Sequence, residues 1–230
     1  MKAIPHTLFL ILLLVAFAAP RASADIALFE SALNLNGAIV SPSGAPANVN
    51  VAGFDFATGL GTIAITYSPG TVGSYFFRAF FDHEIDEFDN TFYNEYGSVT
   101  GAPSAGLSWE IDEPGYVFGD IYTNFTAGTL DNSNAVPASA PDDVSMALGW
   151  TFAGGPGDTA VFNFVISDTA PASGFYLQQT DPDSSKDIYF SSSATFSTPT
   201  TVPEPGSVIL LLTMGASLAL CSRRLLKTLD

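Results

Sequence analysis

An acidic segment in the first half of the chain carries side chains that could do chemistry. Asp82, Glu84 and Asp86 alternate with other residues, and His83 lies between the first two. Clustered carboxylates suit Ca²⁺, which takes six to eight oxygen ligands, so the segment is a calcium candidate; a solvated strand end or loop is the alternative. Acidic neighbours would favour the protonated form of His83.

A second acidic segment has the spacing of part of a calcium loop. Asp181, Asp183 and Asp187 occupy relative positions one, three and seven, where their carboxylates could converge on a cation. The segment lacks the glycine and the terminal glutamate of such a loop, and Lys186 adds a positive charge. A turn rich in Asp, Pro and Ser is the alternative.

A third group of acids raises the question of glycoside hydrolysis, which needs two carboxyl groups beside the scissile bond. Glu110, Asp112 and Glu113 lie near Trp109 and Tyr116, a combination that could line a sugar cleft. In a strand, Glu110 and Asp112 would share the face opposite Trp109. Acids on the solvent face of a strand are the alternative, and with His83 as the one histidine after residue 6, a hydrolytic triad is not expected.

The elements that must position these residues are predicted to be β-strands. The clearest is residues 144–152, where large apolar residues alternate with small or polar ones. A glycine-rich turn and a second alternating run at 159–167 follow, which suggests an antiparallel hairpin. Residues 62–67 and 74–81, on either side of a Ser-Pro-Gly turn, suggest another.

Shorter strands complete the predicted domain. They are expected at residues 27–32, 51–57, 92–99, 107–111, 116–125, 174–178 and 187–191. Helical periodicity is limited to the two chain ends and a turn near 29–35. Many short strands separated by turn residues favour an all-β fold, an antiparallel β-sandwich or jelly roll.

Charge is distributed very unevenly along the chain. Residues 25–202 contain 21 acidic residues but only Arg78 and Lys186 as basic ones, a formal charge of −19. Such a domain repels nucleic acid, which needs Lys and Arg for phosphate contacts. The sole cysteine, Cys221, lies outside this stretch, so the domain must be stabilised by its core rather than by a disulfide.

The N-terminus has the pattern of a secretory signal peptide. Lys2 precedes an almost wholly apolar run at residues 8–19, and Ala22-Ser23-Ala24 supplies small residues for cleavage. We therefore expect residues 1–24 to be removed by signal peptidase and the mature chain to begin at Asp25.

The C-terminus combines three features in a fixed order. Pro203-Glu204-Pro205 is followed by 13 uncharged residues at 208–220, and then by Arg223, Arg224 and Lys227. Thirteen residues make roughly 20 Å of helix, a short membrane span. The basic cluster would hold this end in the cytoplasm and leave the preceding chain on the other side.

This arrangement resembles the PEP-CTERM sorting signal of Gram-negative bacteria that make extracellular polysaccharide. The resemblance implies recognition by an exosortase, removal of the tail and transfer of the domain to the cell surface or matrix. The chain then divides into a signal peptide at 1–24, an exported domain at 25–194, a Ser/Thr/Pro spacer at 195–202 and a sorting signal at 203–230.

Three functions are compatible with these patterns. The leading hypothesis is a non-enzymatic surface or extracellular-matrix protein, associated with exopolysaccharide or biofilm and anchored in the membrane before processing. The second is a carbohydrate-binding module, with or without Ca²⁺, that uses Trp109, Tyr116 and the acidic loops. The third is a glycoside hydrolase or lyase acting through Glu110.

Overall fold

The computed structural model describes residues 26–86, 91–115, 117–198, 210 and 212–214. The chain divides into two compact units, Met1–Phe196 and Ser197–Asp230. In the second unit, Leu210 and residues 212–214 are helical, and the hydroxyl of Thr213 donates a hydrogen bond to the carbonyl of Leu210. Among the described residues, no helix has both the length and the apolar character needed to cross a membrane.

Two β-sheets form the first unit. Sheet I contains, in spatial order, β2 (Ala38–Val40), β1 (Ile26–Leu35), β5 (Gly73–Ile85), β8 (Ser145–Gly154) and β7 (Leu107–Asp112). Sheet II contains β3 (Val49–Phe54), β4 (Gly61–Tyr67), β9 (Thr159–Ser167), β11 (Lys186–Ser197), β10 (Tyr176–Asp181) and β6 (Tyr96–Thr100). Neighbouring strands run antiparallel, as in β5 with β8 and β10 with β11. The predicted all-β sandwich class is therefore confirmed.

The core lies between the inner faces of the two sheets. Phe81 of β5 packs edge to face on Phe190 of β11, with ring centroids 5.1 Å apart. The ring of Phe77 lies 5.2 Å from that of Phe162 of β9, with an angle of 32° between the ring planes. All four rings are essentially excluded from solvent, and burying each contributes about 1.5–3 kcal/mol. Aromatic packing between the two sheets thus contributes to the stability of the core.

A short helix covers the outer face of sheet I. Helix α1 (Ile121–Ala127) buries Ile121 and Phe125 against Phe80 of β5 and Ala147 of β8. The helix ends at Gly128, whose φ of 77° is the left-handed conformation that glycine adopts without strain. The part of sheet I beneath α1 is therefore buried on both faces, which explains why every residue from 145 to 150 in β8 is buried.

Both predicted hairpins are wrong. β8 belongs to sheet I and β9 to sheet II, and the same division separates β5 from β4. The turns at 68–72 and 155–158 therefore connect opposite sheets. Alternation of apolar and polar residues shows which face of a strand is buried. In a sandwich the buried face points inward in both sheets, so alternation does not identify the sheet or the neighbouring strand.

Several shorter predictions are corrected as well. The strand predicted at 116–125 is wrong for residues 121–125, which belong to α1, and the turn expected near 29–35 is part of β1. A 3-10 turn at Phe92–Asn94 precedes β6. The strands predicted at 27–32, 107–111, 174–178 and 187–191 correspond to β1, β7, β10 and β11, the last of which continues to Ser197.

Candidate functional site

A cavity of about 520 Å³ opens beside the end of sheet I where β5 and β7 finish and β8 begins. Its wall contains five carboxylates: Asp82, Glu84, Glu113, Asp142 and Asp143. The rest of the wall is apolar or aromatic and consists of Phe29, Tyr93, Pro114, Val117 and Phe118. We refer to this feature as the acidic cavity.

The strand geometry explains how these residues meet. Inward residues of β5 alternate with outward ones, so Asp82 and Glu84 share the outer face with Phe80. Antiparallel pairing places Asp82 opposite Ser145, two residues after Asp143. The β1–β5 register shifts between Leu28 and Glu30, and this bulge leaves Phe29 at the cavity with 62% of its surface exposed.

Asp82 is the most enclosed acid of the cavity, with 1% exposure. Its Oδ1 accepts a hydrogen bond from the Ser145 hydroxyl at 3.0 Å. The pKa of Asp82 is raised to about 8, mainly by burial. The negative charges of Asp143, Glu84 and Glu30 contribute to the same increase. The carboxyl group is therefore mainly protonated at neutral pH.

Asp143 experiences the same forces less strongly. Burial raises its pKa to about 6, with added repulsion from Asp142 and Glu113. Its Oδ1 is buried and accepts no hydrogen bond from any residue that the structure describes. Burial also raises the pKa of Glu113. Together these carboxylates form a site that would gain from a positive charge.

No such charge comes from the described part of the chain. The lysine and arginine side chains among the described residues are Arg78 and Lys186. Arg78 donates a hydrogen bond to the carbonyl of Gly128 and lies 4.3 Å from the ring centre of Phe76. Lys186 pairs opposite Asp181 in the β10–β11 hairpin. Neither residue lines the acidic cavity.

Another buried acid lies within electrostatic reach of the cavity. Glu95 has 1% exposure, and burial raises its pKa to about 9, with added repulsion from Glu84 and Asp143. The Gln179 amide donates to Glu95 Oε2 and, at 2.7 Å, to the carbonyl of His83. The raised pKa keeps Glu95 mainly neutral at pH 7, and Gln179 of sheet II connects it to β5 of sheet I.

The first acidic segment is divided by the structure. Asp82 and Glu84 reach the acidic cavity together, whereas Asp86 is not among its lining residues and has a left-handed φ of 62° after β5 ends. His83 points to the opposite face and is fully buried, with Nε2 3.4 Å from the Gly59 carbonyl. Burial lowers its pKa to about 4, so the expectation of a protonated His83 is wrong. Its acidic sequence neighbours project from the other face, and desolvation dominates.

The second acidic segment forms the β10–β11 turn. Asp181 pairs opposite Lys186 and Asp187 opposite Thr180, which places Asp181 and Asp187 on opposite faces of the hairpin. Asp181 accepts hydrogen bonds from the backbone N–H groups of Asp183 and Ser184. The structure therefore does not bring the three carboxylates to one face.

Asp183 and Asp187 have their own partners in this region. Asp183 Oδ2 accepts a hydrogen bond from the Asn94 amide at 2.8 Å. Asp187 accepts from the Thr180 hydroxyl at 2.6 Å, from the Gln178 amide at 2.8 Å and from the Tyr189 hydroxyl at 3.1 Å. These bonds connect the turn and its flanking strands.

The third acidic group fastens the helix to the sheet. Glu110 and Asp112 share the outer face of β7, as predicted, while Trp109 faces inward, 6.0 Å from the ring of Phe175. Glu110 accepts hydrogen bonds from the Asn124 amide at 2.9 Å and from the backbone N–H of Asp131 at 3.2 Å. Glu110 and Trp109 lie on opposite faces of β7, so these two side chains do not face one cleft.

Asp112 supports the start of the same helix. Its two oxygens accept hydrogen bonds from the backbone N–H groups of Asp120, at 2.7 Å, and Glu113, at 2.8 Å. Ligand atoms of Glu110, Asp112 and Asp120 lie within 4.8 Å of one another, close enough for one cation. Burial raises the pKa of Glu110 to about 7 and also raises that of Asp112.

The remaining predicted site residues lie outside the described part of the chain. They are Tyr116, the cleavage residues Ala22, Ala24 and Asp25, the sorting residues Pro203, Glu204 and Pro205, and the basic residues Arg223, Arg224 and Lys227.

The sequence interpretation missed most of the wall of the acidic cavity. The adjacent acids Asp142 and Asp143, directly before the clearest strand, were the available signal. The contributions of Phe29, Tyr93 and Phe118 depend on a bulge and on loops that alternation does not describe. In comparisons with known proteins, no family model, curated protein or solved structure matches this chain.

Proposed function

We propose that the chain is an exported, non-enzymatic surface or extracellular-matrix protein that is sorted through a PEP-CTERM signal and associates with extracellular polysaccharide. The observation that carries the proposal is the C-terminal order of Pro203-Glu204-Pro205, the apolar run at 208–220 and the basic cluster. The other end of the chain, residues 1–24, has the pattern of a signal peptide. Signal peptidase and an exosortase are the processing partners, and the route runs through a membrane-anchored precursor.

The roles of the buried acids support a binding or structural domain over an enzyme. Both oxygens of Glu110 and both oxygens of Asp112 accept hydrogen bonds that hold α1 and its flanking turns on β7. Removing either acid would take hydrogen-bond acceptors from these partly buried donors, so both acids have a structural role.

Intact-mass analysis of the protein from its native host tests the proposal. Membrane, surface and medium fractions should contain chains that start at Asp25 and end near Pro203-Glu204-Pro205. Chains that still end at Asp230 in every fraction would contradict the sorting proposal and indicate a membrane-tethered domain.

A deletion pair isolates the role of the motif. Deleting residues 203–205 should abolish surface display and matrix retention, because the processing enzyme loses its recognition site. Deleting residues 198–200, an equally long piece of the adjoining segment, is the matched control and should leave display unchanged. Equal display in both variants would remove the motif from the explanation.

A carbohydrate-binding module, with or without Ca²⁺, is the second candidate function. It is favoured by exposed aromatic rings beside carboxylates at the acidic cavity, an arrangement that suits sugar faces and hydroxyl groups. Retention of the protein on the host's own exopolysaccharide, with and without a chelator, tests it. Absence of retention in both conditions would reject it.

A further inference from the structure

The acidic cavity groups aromatic side chains that are unusually exposed. Phe29, Tyr93 and Phe118 expose 62%, 60% and 67% of their surfaces, and all three line the same space. A contiguous apolar patch on a soluble domain commonly marks a binding surface. The aromatic rings therefore indicate a ligand with an apolar face.

No cationic side chain among the described residues lines the same wall. Asp82 is 1% exposed with one hydrogen bond, from Ser145, to its Oδ1, and the buried Oδ1 of Asp143 has no hydrogen-bond partner among the described residues. Buried carboxylates are normally paired with cations or fully hydrogen-bonded. A positively charged ligand would provide what the surrounding chain does not.

The size and composition of the space favour an organic cation over a metal ion. About 520 Å³ lies within the usual range of roughly 300–1,000 Å³ for small-molecule pockets and far exceeds what a single ion fills. Aromatic faces attract cations, and they also pack against apolar or ring-shaped groups. Hard metal ions gain nothing from such walls, since they bind oxygen ligands.

We infer that the acidic cavity binds an organic ammonium ion, an amine carried on an apolar or ring-shaped body. The ammonium group would lie against Asp82 and Asp143, and the body against Phe29 and Phe118. The inference goes beyond the proposed function by assigning a ligand class to the acidic cavity, and sorting of the chain can succeed or fail independently of it.

Calorimetric titration of the full chain in mild detergent tests the inference. Benzylamine and benzyl alcohol have nearly the same shape but differ in charge. The titrations use a cacodylate buffer, which contains no amine that could compete for the cavity. Benzylamine should bind at pH 7, and benzyl alcohol at least about tenfold more weakly, since a cation paired with a desolvated carboxylate gains energy that a neutral group does not. Equal affinity, or no benzylamine binding, would overturn the inference.

Two single-residue variants test whether benzylamine binds at the acidic cavity. Asp143→Asn and Phe118→Ala should each weaken benzylamine binding by about three- to tenfold, through loss of charge and of cation–π attraction respectively. Asp168→Asn removes an exposed charge from the loop after β9 and is the matched control, expected to change affinity less than about twofold. Equal losses in Asp143→Asn and Asp168→Asn would indicate general charge attraction and reject the cavity.

Calcium chloride provides the alternative ligand. Benzylamine affinity should be unchanged by millimolar Ca²⁺ beyond the effect of KCl at equal ionic strength. If Ca²⁺ binds and displaces the amine, or binds where the amine does not, the cavity is a metal site and the inference fails.

The pH dependence is an independent readout. Benzylamine affinity should increase from pH 5 to pH 8 as Asp143 and then Asp82 ionise, with Glu30, Glu84, Glu113 and Asp142 acting on them. The amine itself stays protonated to about pH 9, close to the behaviour of lysine. An affinity that does not change across this range would show that neither carboxylate contacts the amine.

Discussion

At the scale of single residues, the face of a strand to which a side chain points determines its environment. Asp82 and Glu84 face the acidic cavity, while His83 between them is buried in the opposite direction. Sequence reasoning found the acids of β5 because their composition is visible. It did not find that Ser145 and the acids before it lie beside Asp82, because Asp82 and Ser145 are 63 positions apart in the sequence.

Asp82→Asn should increase stability at high pH. The pKa of the folded-state carboxyl is raised to about 8, so the stability that protonated Asp82 contributes is lost progressively as pH rises from about 4 to 8, and an amide does not lose it. The amide oxygen can still accept the Ser145 hydrogen bond. In thermal melts of the full chain followed by circular dichroism, the variant should unfold several degrees above the parent chain at pH 9 and by a clearly smaller margin at pH 5.

Asp168→Asn controls for the change in net charge. Because Asp168 is exposed, its substitution should move the melting temperature at pH 9 by less than about 2 °C. If Asp82→Asn gave the same small change, Asp82 would be ionised at little cost in the folded protein.

At the scale of elements, alternation predicted the existence of most strands but not their partners. The run at 144–152 became β8 and the run at 159–167 became β9, yet their connecting turn passes from one sheet to the other. Helix α1 was missed for a different reason. Its seven residues span two turns and include Thr, Asn and Phe, which have low helix propensity, so packing on sheet I stabilises it rather than local preference.

Phe125→Ala should strongly destabilise the domain. The ring is fully buried between α1 and sheet I, 5.7 Å from the ring of Phe80, and its removal leaves a cavity costing about 3–5 kcal/mol. Chemical denaturation of the full chain measures the change. Thr123→Ala, on the exposed side of the same helix, should change stability by no more than about 0.5 kcal/mol. A small effect of Phe125→Ala would mean that α1 does not cover the sheet in solution.

At the scale of the whole molecule, the dominant property is a large negative charge, part of which is enclosed. The stretch 25–202 carries a formal charge of −19, and burial raises the pKa of Glu95 to about 9, Asp82 to about 8 and Glu110 to about 7. Folding therefore requires several carboxyl groups to retain protons that the unfolded chain releases near pH 4. This links proton uptake directly to stability.

We expect the folded domain to lose stability as pH rises from 6.5 to 9. A carboxyl whose pKa is raised on folding contributes stability that is full below its unfolded pKa, near 4, and is lost progressively as pH rises to the folded value. His83, with its folded pKa lowered to about 4, acts oppositely, but only below about pH 6.5, where the unfolded imidazole takes up a proton. Each fully shifted acid gives a slope of about 1.4 kcal/mol per pH unit, or roughly 3–5 °C in melting temperature for a domain of this size.

Salt and one substitution separate the buried acids from general repulsion. In 0.5 M KCl, repulsion between exposed carboxylates is screened, whereas desolvation of Glu95 and Asp82 is not, so the fall in melting temperature should persist. Glu95→Gln should reduce the slope between pH 6.5 and 9, because the amide stays neutral throughout. A slope that vanished in salt, or that was the same in Glu95→Gln, would mean that surface repulsion rather than the buried carboxyl groups determines the response. Persistence of the slope together with its reduction in Glu95→Gln would identify these groups as the source of the pH dependence.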